Sequence, residues 1–237
     1  GGSGSYQYEW QTIPVQYGAT ATGLTSGSYS VIVYDGKNCT ATTTCDIKSD
    51  KKSCDGFRTQ TQGGWGQCQQ NGNNPGSYLF ANFAGAFPNG LTIGCTNTLT
   101  LTSAQAVCEF LPSTTGPKLL PAGALTDPGQ TVQSVFYGQL VAAMISVGFD
   151  LYDAGFSANN DFNLKDLYIT TGMFAGWSVE ELIEESNKKV GGCYSPYKAS
   201  ELKSALAAIN QNYTDGTVDN GFLTCYAASS QSKGTEI

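Results

Sequence analysis

The acidic side chains are the first place to look for chemistry, because this 237-residue chain has no histidine. Without an imidazole, a serine or cysteine nucleophile has no histidine base, and the His-ligated metal centres are excluded. Paired carboxylates remain. Asp150 and Asp153 flank Leu151-Tyr152, with Asp161 and Asp166 following, so two or three acids can gather near one loop. A glycosidase needs an acid and a base held about 5 to 9.5 Å apart. These acids stand among Asn159, Asn160 and Asn163, a composition that equally suits a solvated loop or oxygen ligands for calcium. A second run, Asp215-Gly-Thr-Val-Asp219-Asn-Gly221, alternates acids, amides and glycines in the same way. It lacks the glutamate of an EF-hand at the twelfth position, and two successive turns explain it as well. Calcium is therefore the one cofactor these loops suggest, and the chain is read as non-catalytic.

Two tryptophans in glycine loops, Trp65 (QGGWGQ) and Trp177 (FAGWSV), offer a second chemistry. An exposed indole stacks on sugar rings; a buried one plugs a core with its N–H bonded to backbone, and the plug is the favoured reading.

Eight cysteines, Cys39, Cys45, Cys54, Cys68, Cys95, Cys108, Cys193 and Cys225, occur without a CxxC pair. Zinc sites usually need closely spaced ligands, so disulfides are expected, in an oxidising exterior. Cys193 with Cys225 is the preferred pair, because the two bracket one helical hairpin. Charged residues are 13% of the chain and the net charge is −7, which leaves no basic face for nucleic acid. The most apolar run, VFYGQLVAAMISVGF from Val135, is shorter than the roughly 20 residues of a membrane span and is broken by glycines.

The elements that must position these residues change character near residue 50. Before it the pattern is β: Tyr6 to Trp10, Tyr17 to Thr22, the alternating SYSVIVY of Ser28 to Tyr34, an Asp35-Gly36 turn, and the threonine-rich CTATTTCDI. DIKSDKKSC reads as a linker, with its boundaries at about 50–57. Beyond it, FRTQT suggests a strand and Asn74-Pro75 a helix start, with the apolar helix stopping at Pro88. LTIGCTNTLTLTSA reads as a hairpin, and Thr102-x-x-Gln105 as a capping box. Asp127-Pro128 is expected to open the long core helix. Ser178 to Glu181 should cap the acidic helix VEELIEESNKKV, ended by Gly191-Gly192, and ASELKSALAAINQNY the last helix. The final residues, 227–237, look like a mobile tail.

GGSGSYQYEW followed by ATATGLTSGSYSVIVYDGKNCTAT resembles the repeat of the SprB gliding-adhesin family, an immunoglobulin-like or PKD-like module of surface proteins of Bacteroidota, over residues 1–49. In that family a further strand precedes the glycines and often carries a cysteine that pairs with the one in the NCT hairpin. The resemblance implies a partial immunoglobulin-like β-sandwich whose first strand is missing, in a piece of a longer polypeptide. Cys39 would then turn to Cys45 or Cys54. Residues 58–226, from the order GGWG, NNPGSYLFANFAGAFPNGLTIG, LTSAQAVCEFLPS and FAGWSVEELIEESNKKVGG, resemble an uncharacterised domain of large secreted bacterial proteins. The expected architecture is thus two-domain: the β module, then a helix-rich α+β domain with disulfides.

The implied function is a structural or adhesive segment of a secreted cell-surface protein, with type IX export and with neighbouring domains, other copies of the chain or surface glycans as partners. A carbohydrate-binding accessory domain of an extracellular enzyme is the second reading. A self-assembling filament subunit completed by a neighbour's strand is the third.

Overall fold

The computed structural model describes residues 4–48, 53–69, 72, 74–159 and 161–227. The linker's charged centre, Asn160 and the tail beyond 227 lie outside them. The chain divides into two compact units, Gly1–Lys52 and Ser53–Ile237.

The first unit is one antiparallel sheet of β1 (Tyr6–Trp10), β2 (Gln16–Tyr17), β3 (Gly27–Asp35) and β4 (Thr40–Ile47), in the order β2-β1-β3-β4. Tyr8 lies opposite Val33 and Trp10 opposite Val31, while Val31 also faces Thr43. Side chains alternate across a pleated strand, so Tyr8, Trp10, Val31 and Val33 share one face and Glu9 and Ile32 share the other. The strand expected over Tyr17–Thr22 ends at Tyr17. Gly18 turns the chain at φ 108°, and the Gln16 amide clasps Thr22 through two 2.9 Å bonds to its backbone. The turn before β4 is longer than Asp35-Gly36. Asn38 takes the left-handed conformation at φ 61°, and the Asp35 carboxylate accepts from the backbone N–H groups of Lys37 and Cys39, both at 2.9 Å. Among the described residues of this unit there is one sheet layer, and Val31 is its buried apolar residue.

The second unit is helical with short strands. Its elements are α1 (Gln62–Trp65), α2 (Pro75–Ala86), β5 (Leu91–Gly94), β6 (Thr98–Leu101), α3 (Ala104–Phe110), β7 (Ala124–Thr126), α4 (Val135–Tyr152), β8 (Tyr168–Ile169), α5 (Val179–Val190), α6 (Ala199–Asn212) and β9 (Leu223–Thr224). β5, β6 and β7 form one sheet, antiparallel then parallel, and β8 pairs with β9. By length and composition α4 could cross a bilayer. Here it is the core helix instead, burying Phe136, Leu140, Val141, Ile145 and Phe149 against α2, α5 and α6.

Three local expectations give way for identifiable reasons. FRTQT is not a strand: Thr59 makes a single bridge to Thr214, and Thr61 then caps α1. Asp127 does not open α4. It takes φ 45° and accepts from the Thr102 backbone N–H (2.8 Å) and hydroxyl (2.5 Å), tying the end of β6 to β7. Thr102, so engaged, does not cap α3; Ser103 does, and Ser134 caps α4. The α5 capping box forms as expected, with Glu181 N–H to the Ser178 hydroxyl at 3.1 Å and Ser178 N–H to the Glu181 carboxylate at 2.7 Å.

Six cysteines stand as three pairs at disulfide distance: Cys54 with Cys225, Cys68 with Cys108, and Cys95 with Cys193. The expected Cys193–Cys225 pair is therefore corrected. α5 ends beside the β5–β6 turn, where Gly191 accepts Asn97 N–H at 2.9 Å, and this brings Cys193 to Cys95. Cys225, after β9, instead meets Cys54 at the start of the unit across 171 residues. Cys39 and Cys45 are exposed and unpaired.

Candidate functional site

The acids expected near one loop lie at and beyond the C-terminal end of α4. There a cleft of about 290 Å³ is lined by Asp150, Asp153, Ser157, Asn159, Phe162 and Asn163. Asp150 is in the last turn of α4 and Asp153 caps it. Each carboxylate is already committed. Asp150 accepts from the Leu164 backbone N–H at 2.6 Å and from the Ser157 hydroxyl, which fastens Ser157 and Leu164 to the end of the helix. Burial holds its pKa above the ordinary carboxylate range, offset in part by those two donors. Asp153 accepts from the Tyr78 hydroxyl at 2.5 Å and the Gly155 N–H at 2.8 Å, joining α4 to α2. These bonds, the tyrosine's first, lower its pKa.

The opposite shifts of two neighbouring carboxylates are the kind of separation that acid–base catalysis uses. In this cleft the Asp150 shift traces to burial and the Asp153 shift to the bonds that join α4 to α2. Asp161 is exposed and outside the cleft lining, and Asp166 faces Asn163 (3.0 Å) and Lys165 (3.7 Å). The four acids do not converge; among the described residues no group of three or more His, Cys, Asp or Glu side chains is placed to hold a metal.

The second acidic run is also divided. Asp215, at φ 56°, accepts from the Gln60 amide at 2.5 Å. Asp219 accepts from Gly221 N–H at 2.8 Å and from the Asn212 amide at 3.2 Å. Asp219 lines a shallow cleft of about 190 Å³ whose other acid is Asp55, not Asp215. Burial, then the charges of Asp219 and Asp55, push Tyr213 up to about 12. Asp55 lies 164 residues upstream of Asp219, in the linker region, so the cleft they share left no mark in local composition; the Cys54–Cys225 pair next to it is what brings the two ends together.

Trp65 is fully buried at the centre of an aromatic cluster, edge-on to Phe149 (5.3 Å) and stacked with Phe156 (6.2 Å). Its indole N–H donates to the Ser146 hydroxyl at 3.2 Å, a side chain of α4 and not the backbone acceptor expected. Arg58 lies over the rings of Tyr78 and Phe156 at 5.7 and 5.4 Å, a cation–π contact with no sequence signature. Trp177 is half-buried, and its ring meets Phe174 (5.2 Å) and Tyr197 (5.4 Å) edge-on. It forms the apolar wall of a groove of about 260 Å³ whose other lining residues are Glu181, Glu184, Glu185 and Lys188 on α5. A further groove between Met173, Phe174, Ala205, Ala208 and Phe222 is almost wholly apolar, with Met173 exposed.

Comparison of the chain with protein-family models, with curated proteins and with solved structures finds no match.

Proposed function

We propose that this chain is a non-catalytic, structural and adhesive segment of a large secreted bacterial protein displayed at the cell surface. The observation that carries the proposal is the set of three cysteine pairs, spanning 40, 98 and 171 residues, which fits an extracellular protein. On this reading the two units are two domains. The first is an adhesin-type module of the SprB kind, whose sheet is one half of an immunoglobulin-like sandwich, and the second is a disulfide-braced α+β domain. The commitment of Asp150 and Asp153 to bracing bonds supports a mechanical role over a chemical one. Export by the type IX route follows from the family resemblance alone.

Deleting the segment from its parent protein in the source cells should lower their adherence to surfaces, with antibodies to the segment labelling intact cells. Labelling that requires lysis would contradict the proposal.

A second reading, a carbohydrate-binding accessory domain, is favoured by one feature, the Trp177 groove. An indole face beside Glu181 and Glu184 supplies a stacking surface and hydroxyl acceptors. A glycan array probed with the chain and with Trp177→Ala separates the readings: binding lost in the variant supports the sugar reading, and no binding by the parent sinks it. Calcium, if bound, would be sought at Asp55 and Asp219.

A further inference from the structure

Two exposed thiols remain in a chain whose other six cysteines are paired: Cys45 lies in the edge strand β4, and Cys39 immediately precedes it, its carbonyl accepting from Asp35 N–H of β3. Cys39 and Cys45 cannot pair with each other. Six residues of extended strand separate their Cα atoms by about 20 Å, whereas a disulfide requires about 4.4 to 6.8 Å. Cys54 is taken by Cys225.

β4 borders β3 on one side and no strand on the other among the described residues, and all of Thr40–Asp46 is exposed. Edge strands are ordinarily guarded by charges, prolines or bulges. The stretch 39–45, CTATTTC, has none, and its register with β3 runs unbroken.

The direction of its free hydrogen-bonding groups can be read from the ladder. Gln11 N–H donates to Ser30 O on the β1 side of β3, and Asp35 N–H donates to Cys39 O on the β4 side, both at 2.9 Å. Even residues of β3 therefore face β1 and odd ones face β4. By the β3–β4 register, Cys39, Ala41, Thr43 and Cys45 turn their backbone groups inward, while Thr40, Thr42 and Thr44 turn theirs out.

We propose that β4 pairs antiparallel with β4 of a second copy of this chain, about a two-fold axis at Thr42, and that two reciprocal Cys39–Cys45 disulfides close the pair. The spacing is self-complementary. With Thr42 opposite Thr42, Thr40 meets Thr44 in a hydrogen-bonded pair, Ala41 meets Thr43, and Cys39 meets Cys45. The cysteines then occupy non-hydrogen-bonded positions, where Cα atoms lie about 4.5 Å apart, within disulfide reach. Both cysteines share the face of Val31 and Val33, so the apolar faces of the two sheets continue across the seam. No charged residue lies between 39 and 45, so no like charges oppose one another. The interface is isologous and closes at two chains.

Each bridge forms by exchange with a small-molecule disulfide such as oxidised glutathione. Two thiols lose two protons and two electrons, one S–S bond forms, and the oxidant is reduced to two thiols. The inference rests on strand register and thiols, and stands or falls apart from the adhesive role.

The test uses the full chain equilibrated in a glutathione redox buffer and analysed without reduction. The expected product is a dimer of twice the 25.0 kDa chain mass, reverting to monomer with reductant, with Cys39–Cys45 as the interchain linkage on peptide mapping. Cys39→Ser and Cys45→Ser should each be monomeric alone, yet give a singly bridged dimer when mixed. Thr42→Pro, which removes an outward N–H and leaves the β3 ladder intact, should lose the dimer while retaining the parent's circular dichroism. Covalent dimers from either cysteine variant alone would show a different register and overturn the proposal. So would an oxidised monomer with two free thiols, or a dimer that survives Thr42→Pro undiminished.

Discussion

Asp150 and Asp153 are three residues apart and respond to pH in opposite senses. Burial raises the Asp150 pKa above 3.8, so the fold favours its neutral form. Its contribution to stability is full below the unfolded value and is lost as pH rises through the folded one. Asp153 is lowered from the same reference, so its contribution is present above pH 3.8 and lost as pH falls through its depressed value. Asp153→Asn is therefore expected to cost roughly 0.5 to 1 kcal/mol at neutral pH, small because solvent screens this carboxylate. The gap between variant and parent should close on acidification, as read from denaturant midpoints between about pH 2 and 7. A gap that widened instead would contradict the assignment of the Tyr78 bond. Trp65→Ala, by contrast, empties the middle of the aromatic cluster and should cost about 3 to 5 kcal/mol at any pH in that range.

Elements defined by their own termini were legible in the sequence, and those defined by distant partners were not. The Ser178–Glu181 box, the Asn74-Pro75 entry and the Gly191 stop are local chemistry, and α5, α2 and the end of α5 fall where that chemistry puts them. Ser178→Ala should cost about 1 kcal/mol, visible as a lower thermal midpoint. Asp127-Pro128 carries equally good local signals, yet Thr102, 25 residues away in sequence, claims the aspartate for a strand crossing. The same holds for the site: Asp150 and Asp153 share a cleft but are bound to different partners, and Asp161 is outside its lining, while Asp55 and Asp219 share a cleft only through the fold. Gly191 shows how tight such long-range packing is. A Cβ there would collide with the backbone nitrogen of Cys95, so Gly191→Ala should lower the thermal midpoint even though alanine is the better helix former.

At the scale of the molecule, the second unit has a continuous core around α4 and cysteine pairs that tie its ends and its middle together. Cross-links of these spans are worth about 2 to 5 kcal/mol each, mostly by restricting the unfolded chain. Reduction is accordingly expected to lower the thermal midpoint of the second unit markedly. The first unit's described cysteines are exposed and unpaired, so reduction should leave its β signal unchanged in the monomer. A chain braced by three such pairs matures in an oxidising exterior. The most direct test is a disulfide map of protein taken from its source, with free thiols alkylated at harvest and no reductant added. Cys54–Cys225, Cys68–Cys108 and Cys95–Cys193 should be recovered as linked peptides. Recovery of those six cysteines as alkylated thiols would place the chain in a reducing compartment and contradict the extracellular reading.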